Sequence, residues 1–304
     1  PYWKSIPKEA PEFNTDFALV LSTIGKGFSF IHASDTHISL PTVGRMQKLK
    51  HLADSLKPAF VLITGDLIKD ALRVSEKEAT SLYELYLAEI AKFSVPVYSV
   101  PGNHEIFGIE RHKSLVSETH SLYGKKMFRS YLGPDYYSFN YGGVHFVGLN
   151  SVDYHDLWYY GHIDSTQLTW LSKDVSTLSK ENPIVTFNHI PLYSGGISLD
   201  GFHEEEPGST LITINGRKYY RHIVSNANDV ISKLKNNSYP LALGGHHHFS
   251  QQFTYDAVGP KTRFHQTAAI IAPSKGGDVV MPSGITWYTV ENGKINDGKF
   301  IPIR

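Results

Sequence analysis

Five short apolar runs in this 304-residue chain each end in a cluster of Asp, Asn, Gly and His. Phe28–His32 leads into Ser34-Asp35-Thr36-His37, and Ala59–Thr64 stops at Gly65-Asp66. Val97–Val100 is ended by Pro101-Gly102-Asn103-His104-Glu105. Ile184–Phe187 delivers Asn188-His189, and Leu241–Leu243 delivers Gly244-Gly245-His246-His247-His248. Runs of four to eight apolar residues bounded by such breakers read as buried strands. In open α/β sheets, sites lie just outside the carboxyl ends of the strands. The five clusters are therefore expected to meet in one place.

Between these runs the pattern alternates with helices. Helical spacing predicts Val43–Ser55 and Ser75–Phe93, the second opened by a Ser75/Glu78 capping box. Asp164 and Gln167 cap a helix carrying Leu168, Leu171 and Val175, and Ala227–Leu234 is helical. Tyr137–Tyr141 and Val144–Leu149 flank Gly142-Gly143 as a hairpin. The last part reads as short strands: Gln252–Tyr255, Arg263–Ala269, Ile285–Val290 and Lys299–Ile303. Residues 1–27, with Pro1, Pro7 and Pro11, form a lead-in, and 28–304 are expected to be one domain with a β-rich C-terminal part. The stretches around 194–220 and 256–282 are long and irregular, as functional loops often are.

Composition narrows the chemistry. The chain has no cysteine, so disulfides, thiolate metal sites and cysteine nucleophiles are excluded. It has 16 histidines. Lys+Arg and Asp+Glu both number 29, so nothing signals a nucleic-acid partner. No run approaches the roughly 18 apolar residues of a membrane span, and Phe17–Ile24 is the longest candidate. Zero cysteine and 18 tyrosines fit an extracytoplasmic (periplasmic or secreted) location. The strand-end set holds carboxylates, imidazoles and an amide oxygen. Such donors suit Fe, Mn or Zn, with Co or Mg as further options. Seven donors exceed one four-coordinate ion and fit two ions sharing a carboxylate.

The ordered set Asp-x-His, Gly-Asp, Gly-Asn-His-Glu, His, Gly-His-x-His resembles the calcineurin-like metallophosphoesterase family, with a likeness to its bacterial phosphodiesterase and phosphatase members. The resemblance runs from residue 35 to 248. It implies a two-sheet αββα sandwich. It also implies that Asp35, His37 and His248 hold one metal ion, that Asn103, His189 and His246 hold a second, and that Asp66 bridges them. The implied reaction is hydrolysis of a small phosphate ester, a diester or monoester, by a metal-bridging hydroxide. His104 then contacts phosphate or protonates the leaving oxygen, and Glu105 orients His104 or caps the helix that follows.

Departures from the family pattern refine this. Lys69 stands where purple acid phosphatases place a Tyr ligand. Pro101 stands where calcineurin-like protein phosphatases carry Arg, which disfavours a protein substrate. Gly65-Asp66-Leu67-Ile68-Lys69-Asp70 is similar to bacterial cyclic-nucleotide phosphodiesterases, as is the segment from Gly161 to Leu171 to bacterial members more widely. Two other readings stay open: a nuclease of the same family, and a metal-stabilised binding module without turnover.

Each feature also has a plainer reading. Asp70 is a cap or a partner of the ligands, and His247 supports the site or lies on the surface. His32, His145 and His222 are packing or surface residues. Asp153 to Tyr160 is either a surface loop packed by its own rings or a wall facing substrate. His203 to Glu206 is a solvated loop, and Arg45, Lys69 and Arg73 are candidate phosphate clamps.

Overall fold

The computed structural model describes residues 27–197, 201–205, 208–255, 261–276 and 279–304. Residues 1–26 of the expected lead-in, with the Phe17–Ile24 run, lie outside the described residues. In chain order the elements are β1 (Gly27–Ala33), α1 (Val43–Leu56), β2 (Phe60–Thr64), α2 (Glu76–Ile90), β3 (Val97–Val100), a single 3-10 turn (Asn103–Glu105), α3 (Arg111–Ser114) and α4 (Lys126–Leu132). Then follow β4 (Tyr137–Tyr141), β5 (Val144–Gly148), β6 (Val152–His155), β7 (Trp158–Gly161), α5 (Ser165–Ser176), β8 (Ile184–Phe187), β9 (Leu211–Ile214), β10 (Arg217–Tyr220), α6 (Ala227–Leu234) and β11 (Leu241–Gly244). The chain ends with β12 (Gln251–Tyr255), β13 (Thr262–Gln266), β14 (Ser274–Gly276), β15 (Val279–Met281), β16 (Gly284–Glu291), β17 (Lys294–Ile295) and β18 (Lys299–Pro302).

Two six-stranded sheets carry the fold. The first runs β17-β16-β1-β2-β3, with β18 on β16. The second runs β12-β13-β11-β8-β5-β4. β1, β2 and β3 are parallel, as are β13, β11, β8 and β5. β2 shows why its sequence has no polar alternation. Phe60 and Leu62 join the core between the two sheets, while Val61 and Ile63 face Leu49 and Tyr86 of the flanking helices. A strand covered on both faces is apolar throughout. Across the second sheet, Ile184 and Ala242 pack with Leu171 of α5 and Val230 of α6. Helix, sheet, sheet, helix is the expected αββα sandwich.

Start signals act as read. Ser75 Oγ accepts from Glu78 N at 3.3 Å, and Asp164 Oδ1 accepts from Gln167 N at 2.9 Å. The β4–β5 turn puts both Gly142 and Gly143 at positive φ. The aromatic stretch 153–160 is not an open loop but the β6–β7 hairpin, with Asp153 opposite Tyr160. Residues 194–220 are not wholly irregular either, because β9 and β10 pair within them.

Candidate metal centre

The carboxyl ends of β1, β2, β3, β8 and β11 place their polar clusters around one cleft. Two contacts stitch the sheets there. His189 Nδ1, after β8, donates to Thr64 O of β2 at 2.8 Å. His246 N, after β11, donates to Asp35 Oδ2, after β1, at 3.1 Å. Gly65 and Gly102 permit this closeness. A Cβ on Gly65 would meet His189 Cβ at 2.6 Å, and one on Gly102 would meet Asp66 N at 2.2 Å.

Side-chain atoms of two groups lie within 4.8 Å of one another: Asp35, His37, Asp66 and His248, and Asp66, His189 and His246. Asp66 is common to both. Its Oδ2 lies 3.6 Å from His37 Nε2, and its Oδ1 lies 3.2 Å from His189 Nε2. Asn103 joins the second group, with Oδ1 at 3.0 Å from His189 Nε2. All seven residues expected as ligands therefore meet, and His104 meets them too.

The donors fit cations. His37 Nε2 and His248 Nε2 face each other at 3.3 Å, and Asp35 Oδ1 is buried without a hydrogen bond although His248 Nε2 is 3.2 Å away. Nitrogen lone pairs and a buried anionic oxygen aimed at one spot are how a divalent ion is held. Burial lowers the His37 imidazole to about 4, so it is neutral and able to ligate. Burial pushes Asp66 up, but His189, His104 and His37 outweigh it and hold the carboxyl well below its ordinary range. Burial would lower His189, yet Asp66 holds it up to about 9. Backbone strain gathers here as well. Among the described residues ten non-glycines have left-handed φ, and five of them are Asp35, His37, Asp66, His246 and His248. Asp and His tolerate this region better than most residues, and such strain concentrates at functional sites.

Glu105 does not orient His104, and it caps its own 3-10 turn rather than the helix that follows. Its Oε1 accepts from Leu67 N at 2.8 Å and Ile68 N at 3.1 Å, and its Oε2 from Gly102 N at 2.6 Å. It clamps the β2 and β3 turns together. His104 is oriented by Lys69 instead: its Nδ1 donates to the Lys69 carbonyl at 2.6 Å, leaving Nε2 towards the cleft, 3.9 Å from Asp66 Oδ2.

The cleft has a volume of about 590 Å³, and its lining includes His37, His104, Tyr159, His203, His222 and His247. The candidate clamps do not line it. Arg45 Nε binds Ile270 O at 2.9 Å, and Arg73 pairs with Glu110 at 2.8 Å. Lys69 contributes its carbonyl. Of the aromatic hairpin, Tyr159 alone lines the cleft among the described residues. Tyr160 turns towards Asp153, and Tyr154 packs on Tyr123. His222 corrects the sequence reading: it lines the cleft, and its Nδ1 lies 2.7 Å from His246 Nε2. Neither spacing nor a neighbouring motif marks it in Tyr219-Tyr220-Arg221-His222.

Comparison with known proteins agrees with this geometry. Calcineurin-like phosphoesterase is the family that matches, over residues 28–250. The chain is 29% identical over 147 residues to the serine/threonine-protein phosphatase CPPED1 of Homo sapiens, covering 47% of this chain and 43% of that protein. It is 36% identical over 58 residues to a manganese-dependent ADP-ribose/CDP-alcohol diphosphatase of Xenopus tropicalis, 19% of this chain and 17% of that one. These matches span less than half the length of the relatives. In structure, the chain is similar to a dimetal phosphatase from Danio rerio, with TM-score 0.58 and 15% identity over 90% of this chain and 98% of that one. It is also similar to GAP50, an anchor in the inner membrane complex of Plasmodium, with TM-score 0.51 and 13% identity over 91% and 84%. These two show the fold. With its sandwich, its shared Asp66 and the match across residues 28–250, the chain belongs to the calcineurin-like phosphoesterase family.

Proposed function

We propose that this chain hydrolyses phosphoric esters at a two-metal centre. Asp35, His37, Asp66 and His248 would hold one ion, and Asp66, Asn103, His189 and His246 the other. One observation carries this reading: Asp66 belongs to both ligand groups and turns one oxygen to each. Two ions there would lower the proton affinity of a water and neutralise phosphoryl oxygens. Oxygen and imidazole donors suit Mn, Zn, Fe, Co or Mg. The Xenopus relative's name makes manganese the first to try.

The chain's own contribution centres on His104. With its Nδ1–H committed to the Lys69 carbonyl, only Nε2 can exchange a proton with a bound ester. Nε2 lies 3.9 Å from Asp66 Oδ2, beside both ligand groups. We assign Nε2 of His104 the proton that goes to the leaving oxygen.

A cleft of about 590 Å³ suits a small phosphate ester. The name of CPPED1 raises a phosphoprotein substrate, and Pro101 in place of Arg weighs against it. A nuclease role lacks support, because neither Lys nor Arg is among the described residues lining the cleft. GAP50 supplies a second reading, an anchoring module on the same fold.

The test is a side-by-side assay of manganese-loaded protein on an aryl phosphate monoester and the matching diester, with Asp66→Asn as control. Turnover of either ester that Asp66→Asn abolishes supports hydrolysis. Two bound ions with no turnover of either ester, or of a nucleoside diphosphate, would favour the anchoring module.

A further inference from the structure

We propose that His222 is a positioning residue. It fixes which ring nitrogen of His246 faces the metal centre, and it ties the β9–β10 region to one of the two metal positions. The inference rests on the two-metal reading.

His222 sits two residues beyond β10, in a segment held from three sides. Arg221 N donates to Thr210 O at 2.9 Å, Val224 N to Pro191 O at 2.9 Å, and Ser225 N to Gly161 O at 2.8 Å. The Arg221 guanidinium lies over the Trp158 ring at 4.8 Å and the Tyr159 ring at 4.9 Å. Backbone and side chain together leave His222 little freedom to shift.

From this seat His222 reaches two consecutive residues of the β11 turn. Its ring lies 24° from the plane of the His246 ring, with Nδ1 2.7 Å from His246 Nε2. Its carbonyl accepts from His247 Nε2 at 2.9 Å. His246 has φ of +76°, so its ring is not aimed by a regular strand backbone and needs outside support.

The hydrogen-bond chain then settles the tautomers. His246 turns Nδ1 towards the second ligand group, 3.1 Å from His189 Nε2. A ligating nitrogen offers a lone pair, so neutral His246 carries its proton on Nε2. That proton is donated to His222 Nδ1, which must be bare. Removing His222 leaves a half-buried N–H without its acceptor and frees the His246 ring to turn.

The experiment is calorimetric titration of metal-free protein with Mn²⁺, for the parent, His222→Ala and His222→Asn. Thermal melting of each variant reports any general loss of structure. Asn can place an amide oxygen near the position of Nδ1. Outer partners of metal ligands are typically worth about 10–100-fold in affinity. His222→Ala should therefore weaken one of two binding events by about 10–100-fold and leave the other within about threefold. His222→Asn should recover most of that loss. Long-range proton–nitrogen spectra of the metal-loaded parent should show the Nε2–H tautomer at both His222 and His246. Two unchanged binding events in His222→Ala overturn the inference, as do equal losses at both or an Asn variant no better than Ala. A parent that binds fewer than two ions fails the two-metal reading itself and takes this inference with it.

Discussion

Asp66 Oδ1 accepts the backbone N–H of His104 at 2.9 Å. The residue shared by both ligand groups thus also seats the turn that carries the proposed acid. Asp66→Asn keeps the shape and removes the charge. Even outer partners of metal ligands are worth about 10–100-fold, so loss of the shared ligand should lower kcat/KM by more than ~100-fold. Bound metal should fall below two ions per chain. Parent-like turnover with this variant would refute the role given to Asp66.

Gly102 has φ of −103°, a conformation open to any residue, so its constraint is purely steric. A Cβ there would lie 2.2 Å from both Asp66 N and Asp66 Oδ1, and the backbone atom cannot give way. Gly102→Ala should cost about 1–3 kcal/mol by overpacking and should weaken metal binding as the β2 turn moves. Gly143 is the matched control. Its added Cβ meets nothing within 4 Å, and its cost arises from φ of +80° alone, about 1–2 kcal/mol. Both variants should melt lower in a thermal scan, but Gly143→Ala should bind metal like the parent.

The strand ends were legible because burial and ligand chemistry both leave marks in sequence. Phe60–Thr64 is apolar on both faces, and Gly65 and Asp66 break it. Ser75 and Asp164 announce helix starts through local hydrogen bonds. What escaped depends on contacts far apart in the chain. Glu105 reaches Leu67 and Ile68, 38 and 37 residues away, and no periodicity reports that. His222 meets His246 through a segment held by Pro191 and Gly161. The β6–β7 hairpin hid because Tyr154, Tyr159 and Tyr160 serve different neighbours, so polar–apolar alternation is lost.

Arg73 separates a phosphate clamp from a structural cation. Its Nε lies 2.8 Å from Glu110 Oε1 and its Nη1 3.2 Å from Asp70 Oδ2. The side chain is 37% exposed, so the pairs are screened and worth about 0.2–1 kcal/mol. Arg73→Ala should lower the melting temperature slightly. It should leave KM for a phosphate ester within about twofold, because uniform substrate binding was not its task. A large rise in KM would place Arg73 in the substrate site after all.

Asp153 offers a pH signature away from the metal centre. Burial would raise its carboxyl, but His162 at 3.2 Å and Lys125 at 3.3 Å outweigh burial and lower it from 3.8 to about 2. A depressed acid stabilises the fold above its ordinary value, and the gain is lost as pH falls through the folded value. The lowering corresponds to about 2 kcal/mol, present near neutrality and lost between about pH 4 and pH 2. Asp153→Asn removes this component at every pH. Parent and variant should therefore differ in urea midpoint at pH 6 and converge as the pH approaches 2. A difference that stays constant down to pH 2 would show that packing of the β6–β7 hairpin, not the charge of Asp153, supplies the stability.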